Sequence, residues 1–176
     1  PSWVQRVQAL PQLTQVQTQR LRNITLDTQR APVVLMVRDR IGPQNLPMVG
    51  EDLPVPADAI GVYVSEAVVD LYGLAPGQTW EALGAAISPQ PGRIFVAGVW
   101  RDYARQSGSV VMARSDYQSL SGDTRINDLA LTVQTGTDLP ELIDTLRHLA
   151  DEQQAGAGEQ LEIASTAHIR ATSLRL

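Results

Sequence analysis

The sequence predicts an α+β fold, and three observations carry that reading. Asn127 to Gln134 alternates, with Leu129, Leu131 and Val133 on one face, as a half-buried strand does. Directly after it, Leu139, Leu142, Ile143, Leu146, Leu149 and Ala150 fall on one stripe of a helix. Short apolar runs at 61–64, 94–100 and 109–113 read as further strands, with a short helix after the first and the last.

Taken from the start, Ser2 and Gln5 have the spacing of a capping box. Trp3, Val7 and Leu10 then share a helical face until Pro11 ends it. Residues 14–26 are polar but rich in β-branched and long side chains, which suits a strand with an exposed face; 32–37 (PVVLMV) reads as a buried strand. Residues 42–59 hold four prolines and two glycines and are expected to form a long irregular connection.

The stretch 61–80, GVYVSEAVVDLYGLAPGQTW, poses the first functional question, because its Ser65-Glu66 pair sits where a strand gives way to a helix. Ser65 is a natural N-cap, and Glu66 falls in the first turn, where the helix dipole favours an anion. Val68, Val69 and either Leu71 or Tyr72 face inward, Gly73 supplies a left-handed stop, and Pro76-Gly77 makes a turn. Every residue there has a role in folding, so the pair is read as structural. Ser115 and Gln118 give another capping-box spacing ahead of the helix after 109–113. At the far end, AGAG at 155–158 ends the amphipathic helix, Leu161 to Ala164 reads as a short strand, and a last helix starts near Ser165 or Thr166. Strand, helix and strand together suggest a right-handed crossover unit.

Composition excludes several functions. A chain of 176 residues forms one domain or two small lobes sharing a core, and buries roughly 70% of its unfolded surface without metal or disulfide staples. Nineteen acidic groups face fourteen basic ones, all arginine and none in a run, so no concentrated basic face offers itself to nucleic acid or to an anionic bilayer. With no cysteine there is no disulfide, thiolate nucleophile or cysteine-based zinc site. No stretch reaches the ~20 apolar residues of a membrane span, and no signal peptide opens the chain. The abrupt start at Pro1-Ser2-Trp3 and the stop at Leu174-Arg175-Leu176 suggest a fragment of something longer.

Catalytic chemistry finds little support. A serine nucleophile needs a base in reach and a group to orient it. The two histidines are His148, on the polar side of the amphipathic helix one turn from Asp144, and His168, in the first turn of the last helix; no GxSxG elbow precedes either. Two histidines twenty residues apart match no metal spacing, and Asp123, Asn127 and Asp128 lack the density of a calcium loop and read as a rim of turn polars. Gly73, Gly77, Gly84 and Gly92 are too scattered to cradle phosphate, and the sequon Asn23-Ile24-Thr25 falls in a strand. The segment Gly92 to Tyr117 remains. There an apolar strand runs into Arg101, Asp102, Tyr103 and Arg105, bends at Gly108 and returns as Val110-Val111-Met112. Those four residues are the candidate partner-contact rim; the alternative is a hairpin whose ends carry ordinary solvated charges, with Tyr103 over the sheet.

The order "VYVSEAVVDLYGLAPGQ", "GRIFVAGVWRDYARQSGSVVMARSDY", "INDLALTVQTGTDL" and "LEIASTAHIRATSLRL" resembles the large extracytoplasmic, or periplasmic core, domain of an FtsX-like (MacB-type) ABC transporter permease. In that family a V-S-E strand leads into a helix and a G-L-x-P-G-D turn, a V-x-G-V-x-R-D-Y strand hairpins through glycine to a V-x-M strand, and the last helix runs into a membrane span. The likeness covers most of the chain from about residue 60 and, more faintly, the opening from Trp3. Gln78 stands where the family has Asp, and the 42–59 loop matches nothing in it.

The resemblance implies two lobes: a membrane-proximal mixed α/β lobe from 1–41 and 126–176, and an inserted β-rich lobe from 42–125. It implies a non-enzymatic domain on the periplasmic side of the inner membrane, with no cofactor, no metal and no catalytic residue. Such a domain couples ATP-driven motion of its own permease's membrane helices to a periplasmic partner protein or lipid-like substrate, and does not contact the separate cytoplasmic ATPase subunit. The terminal helices, around Trp3 and Ile169 to Leu176, would continue two membrane spans. The alternative is a soluble extracytoplasmic module holding a small molecule or lipid between its lobes; a hydrolase would require activity that disappears in Ser65→Ala or His168→Ala.

Overall fold

The computed structural model describes residues 2–89 and 92–164. It is an α+β fold whose described strands form a mixed sheet of seven, in the order β3-β5-β4-β6-β2-β1-β7. The chain divides into two compact units, one from residues 1–17 and 129–176, the other from 18–128.

In the first unit, α1 (Trp3–Gln8) starts on a complete capping box: the Gln5 amide donates to Ser2 Oγ at 3.3 Å, and the Ser2 amide to Gln5 Oε1 at 3.0 Å. The first half of β1 (Leu13–Ile24) and β7 (Asp128–Val133) contribute Leu13, Val16, Leu129, Leu131 and Val133 to a core. α5 (Leu139–Gln153) closes that core with Leu142 and Leu146, and Val7 is fully buried there. Asp138 caps α5 by accepting the Glu141 amide at 3.2 Å, as the sequence predicts.

The end of this unit departs from expectation. After α5 comes the single turn α6 (Ala157–Gln160), and 161–164 form no strand, so there is no crossover unit here. The reason is local: Arg147 on α5 donates to the carbonyls of Gly158 (2.5 Å) and Leu161 (2.9 Å), and Asp151 accepts the Gly158 amide, which holds the chain against the helix. The expected last helix and His168 lie outside the described residues.

The second unit is a sheet with two different faces. Successive side chains alternate, so Val33, Leu35, Val37, Val62, Val64, Ile94, Val96, Val110 and Met112 point to one side. Three helices cover that side: α2 (Glu66–Tyr72), α3 (Glu81–Ile87) and α4 (Arg114–Ser121), through Val68, Leu83, Ile87 and Tyr117. Of the two inward candidates at the end of α2, Tyr72 packs on the core and Leu71 is exposed. α3 has no sequence signal at its start, since Trp80 occupies the cap position and makes no side-chain cap. The capping spacing at Ser115 is also not used, because α4 begins one residue earlier, at Arg114, directly off β6.

On the opposite face Met36, Tyr63, Phe95, Ala97, Trp100 and Val111 are covered by the proline-rich connection, through Leu46 and Met48. That connection contains a 3-10 turn (Pro43–Asn45) and the two-residue strand β3 (Met48–Val49), both unforeseen. The first strand starts one residue earlier and stops two residues sooner than expected, and it is less exposed: its Gln19 is buried at 3% exposure. A buried amide needs partners, and it has them in Arg38 and Asp128.

The strand order also corrects the expected hairpin. β5 (Arg93–Trp100) and β6 (Ser109–Ala113) are not neighbours, because β4 (Ala59–Ser65) lies between them, parallel to β5 and antiparallel to β6. β2 (Val33–Arg38) then joins β6 in parallel and β1 antiparallel. Residues 101–108 are long enough to pass over the end of one intervening strand, where a tight hairpin loop of 2–5 residues would not be.

Candidate functional site

Parallel pairing of β4 and β5 brings Ser65 opposite Trp100, so the Ser-Glu pair and the Arg-Asp-Tyr segment emerge side by side at one end of the sheet. Glu66 Oε1 accepts from Arg101 Nε at 2.7 Å. That carboxylate first, and the Tyr103 side chain second, hold the Arg101 guanidinium above its ordinary pKa. The Ser65 hydroxyl is committed elsewhere: it accepts the backbone amide of Ser109, buried, at 3.0 Å. Its role is thus to fix the first residue of β6, and not to cap α2 with its side chain.

Asp102 organises the loop between β5 and β6. One carboxylate oxygen accepts the Ala104 amide at 2.9 Å; the other accepts Ser109 Oγ at 2.7 Å and Arg105 Nη1 at 3.4 Å. Only 4% of its side chain is exposed, so of the four rim residues Asp102 faces inward, and it holds Arg105. Gly108 completes the loop at φ 108°, and a Cβ there would stand 2.8 Å from Val68 Cγ2. Only glycine suits both the backbone angle and the approach of α2.

Arg101 and Tyr103 face outward. With Pro47, Met48 and Val49 they line an open groove of ≈ 320 Å³ at the edge of the sheet. Its wall is fixed by the Met48↔Trp100 pairing and by the Arg101 amide, which donates to the Pro47 carbonyl at 2.9 Å. The groove therefore has an apolar side, with Val49 37% exposed, and a cationic and phenolic side. Arg105, 29% exposed at its side chain, stays with Asp102.

Other sequence candidates separate from this site. His148 lies on α5 and pairs with Glu152 at 3.1 Å in place of the expected Asp144. Asn23 of the sequon is in β1, paired with Val34. Asp123, Asn127 and Asp128 do not form one rim; each binds a different residue of β1. Asn127 donates to the Leu21 carbonyl and accepts its amide, Asp128 takes Gln19, and Asp123 takes Arg20 at 2.9 Å. Sequence reasoning missed this stitching, because the partners lie 103 to 109 positions apart and meet only in the fold.

Among the described residues no helix is long and apolar enough to cross a membrane. No protein-family model and no curated protein matches the chain. Among solved structures, the periplasmic region of MacB from Actinobacillus actinomycetemcomitans is similar at 13% identity, over 99% of this chain and 82% of that one, with a TM-score of 0.59. The extracellular domain of the noncanonic ABC-type transporter YknZ from Gram-positive bacteria is similar at 10% identity, over 89% and 84%, with a TM-score of 0.53. The chain resembles, in fold, extracellular and periplasmic domains of ABC transporter permeases.

Proposed function

We propose that this chain is a non-catalytic extracytoplasmic domain of an ABC transporter permease, carried on the periplasmic side of the inner membrane. The observation that supports it most is the likeness in fold to the MacB periplasmic region along 99% of the chain. The domain passes motion of the membrane helices to a periplasmic protein or lipid-like substrate. The contact surface is the rim at the β4 and β5 ends: Arg101 and Tyr103 meet the partner, and Asp102 and Arg105 keep the loop in shape.

The gene on either side supplies the first test. Apolar stretches of ~20 residues before Pro1 and after Leu176 are expected; polar sequence or a stop codon on both sides would remove the membrane reading and favour a soluble binding module. Coupling is tested in the intact permease by inserting two glycines after Ala171. Transport is expected to fall while ATP hydrolysis continues, and unchanged transport would end the coupling role.

A further inference from the structure

Where β1 meets α4 in the second unit, charge is gathered that the partner rim does not use. Asp123, just past the Gly122 that stops α4, accepts from Arg20 Nε at 2.9 Å, from Arg125 Nε at 2.9 Å and from the Tyr117 hydroxyl at 2.8 Å. The Tyr117 oxygen in turn accepts from Arg22 Nη1 at 3.1 Å. Three guanidiniums thus converge on a single carboxylate and a single phenol.

The charges do not balance. Asp123 offsets one of the three, and among the described residues Arg22 makes no ion pair. Among the described residues Asp116 on α4 makes no ion pair, and Asp128 feels Arg105 and Arg38. Two positive charges are left over in a chain of net charge −5. The frame holding them is rigid: Tyr117 is fully buried, and the side chains of Arg20 and Asp123 are 15% and 11% exposed. From it the groups grade outward through half-buried Arg22 to Arg125, which is 75% exposed.

We propose that Arg20, Arg22 and Arg125 form a binding site for a phosphate-class oxyanion, free or as the head group of an anionic lipid. Guanidinium presents planar, always-charged donors that match phosphate oxygens, and guanidiniums already held by Asp123 and Tyr117 lose little freedom on binding. Arg22 and Arg125 supply the outward donors, while Arg20 and Asp123 keep the spacing.

The test uses the 176-residue chain, titrated with inorganic phosphate and, separately, sedimented with phosphatidylglycerol or phosphatidylcholine vesicles. Saturable one-to-one phosphate binding, or retention on phosphatidylglycerol vesicles alone, is expected. Each is expected to weaken by about tenfold in Arg22→Gln, the loss of one charge-assisted contact, and to weaken also in Arg125→Gln. Arg125→Gln changes an exposed side chain and keeps the site testable if Arg22→Gln unfolds. Phosphate binding without vesicle binding identifies a free anion; vesicle binding without phosphate binding identifies the lipid head group. No saturable binding of either, or binding that both variants leave unchanged, overturns the site.

Discussion

Ser65 and Ser109 lie 44 positions apart, and the hydroxyl of the first accepts the backbone amide of the second at 3.0 Å inside the protein. The Ser109 hydroxyl passes the chain of bonds on to Asp102. One small polar thread therefore ties the ends of β4, β5 and β6 together beneath the groove.

Asp102→Ala removes the acceptor of Ser109 Oγ, of the Ala104 amide and of Arg105 at once. The fully buried Ser109 hydroxyl would be left unsatisfied, so a cost of about 2–3 kcal/mol is expected from urea unfolding. Asp102→Asn keeps an acceptor and is expected to cost less; equal stability of wild type and Asp102→Ala would show that the thread is idle.

Arg101→Ala should behave in the opposite way. Arg101 and Glu66 are both largely solvent-exposed, at 53% and 43%, and such pairs contribute little. Melting temperature is expected to stay within a degree or two of wild type, while the proposed role of the rim predicts that capture of a partner protein is lost. A variant that binds normally would move the contact away from the rim.

Two glycines separate backbone strain from crowding. At Gly98 a Cβ would meet Met48 Cε at 2.7 Å, the far end of a flexible chain, and the buried Tyr63 ring at 3.1 Å, but with no backbone strain, so Gly98→Ala is expected to cost about 1–2 kcal/mol. At Gly108 a positive φ is added to a clash with the buried, stiff Val68, and about 2–3 kcal/mol is expected. Denaturant midpoints that rank the two the other way would contradict the packing described.

The two buried-edge carboxylates respond to pH in opposite senses. Arg125 first, then Tyr117 and Arg20, hold Asp123 well below the usual carboxylate range. Its stabilisation is present above the ordinary value of about 3.9 and drains away as pH falls below it. Asp128 is pushed up by burial, so in the folded state it holds its proton to higher pH and costs stability as pH rises through that range. Asp123→Asn should flatten the acid limb of a stability–pH curve. Asp128→Asn should raise stability at pH 7 while still accepting from Gln19. Identical curves for both variants would refute the assignment.

Local chemistry was legible wherever a residue's partner is close in sequence. Ser2, Asp138, Gly73 and the stripe of α5 all act within a turn or two of themselves. Ser65 shows the limit: its position at the helix start was readable, but its hydroxyl serves an amide on another strand. No periodicity reports that β4 inserts between β5 and β6, because each strand has the same alternation whichever neighbour it takes. The charge hub at Asp123 was hidden for the same reason, since Arg20 and Asp123 meet only after α4 has been laid across the sheet. The strand expected at 161–164 had the right residues and was overridden by the bonds from Arg147.

The outer side of β5 is closed by two unrelated pieces of chain. Near its start, the Gly77 and Trp80 amides donate to the Val96 and Ile94 carbonyls, and the Val96 amide donates to the Gln78 carbonyl. Near its end, β3 and the Leu53 amide, which donates to the Ala97 carbonyl, take over. Each piece is irregular and rich in glycine or proline, so neither offers a further row of ladder bonds. The molecule carries its own terminator on that side, and copies crowded together at high local density have no template there on which to polymerise.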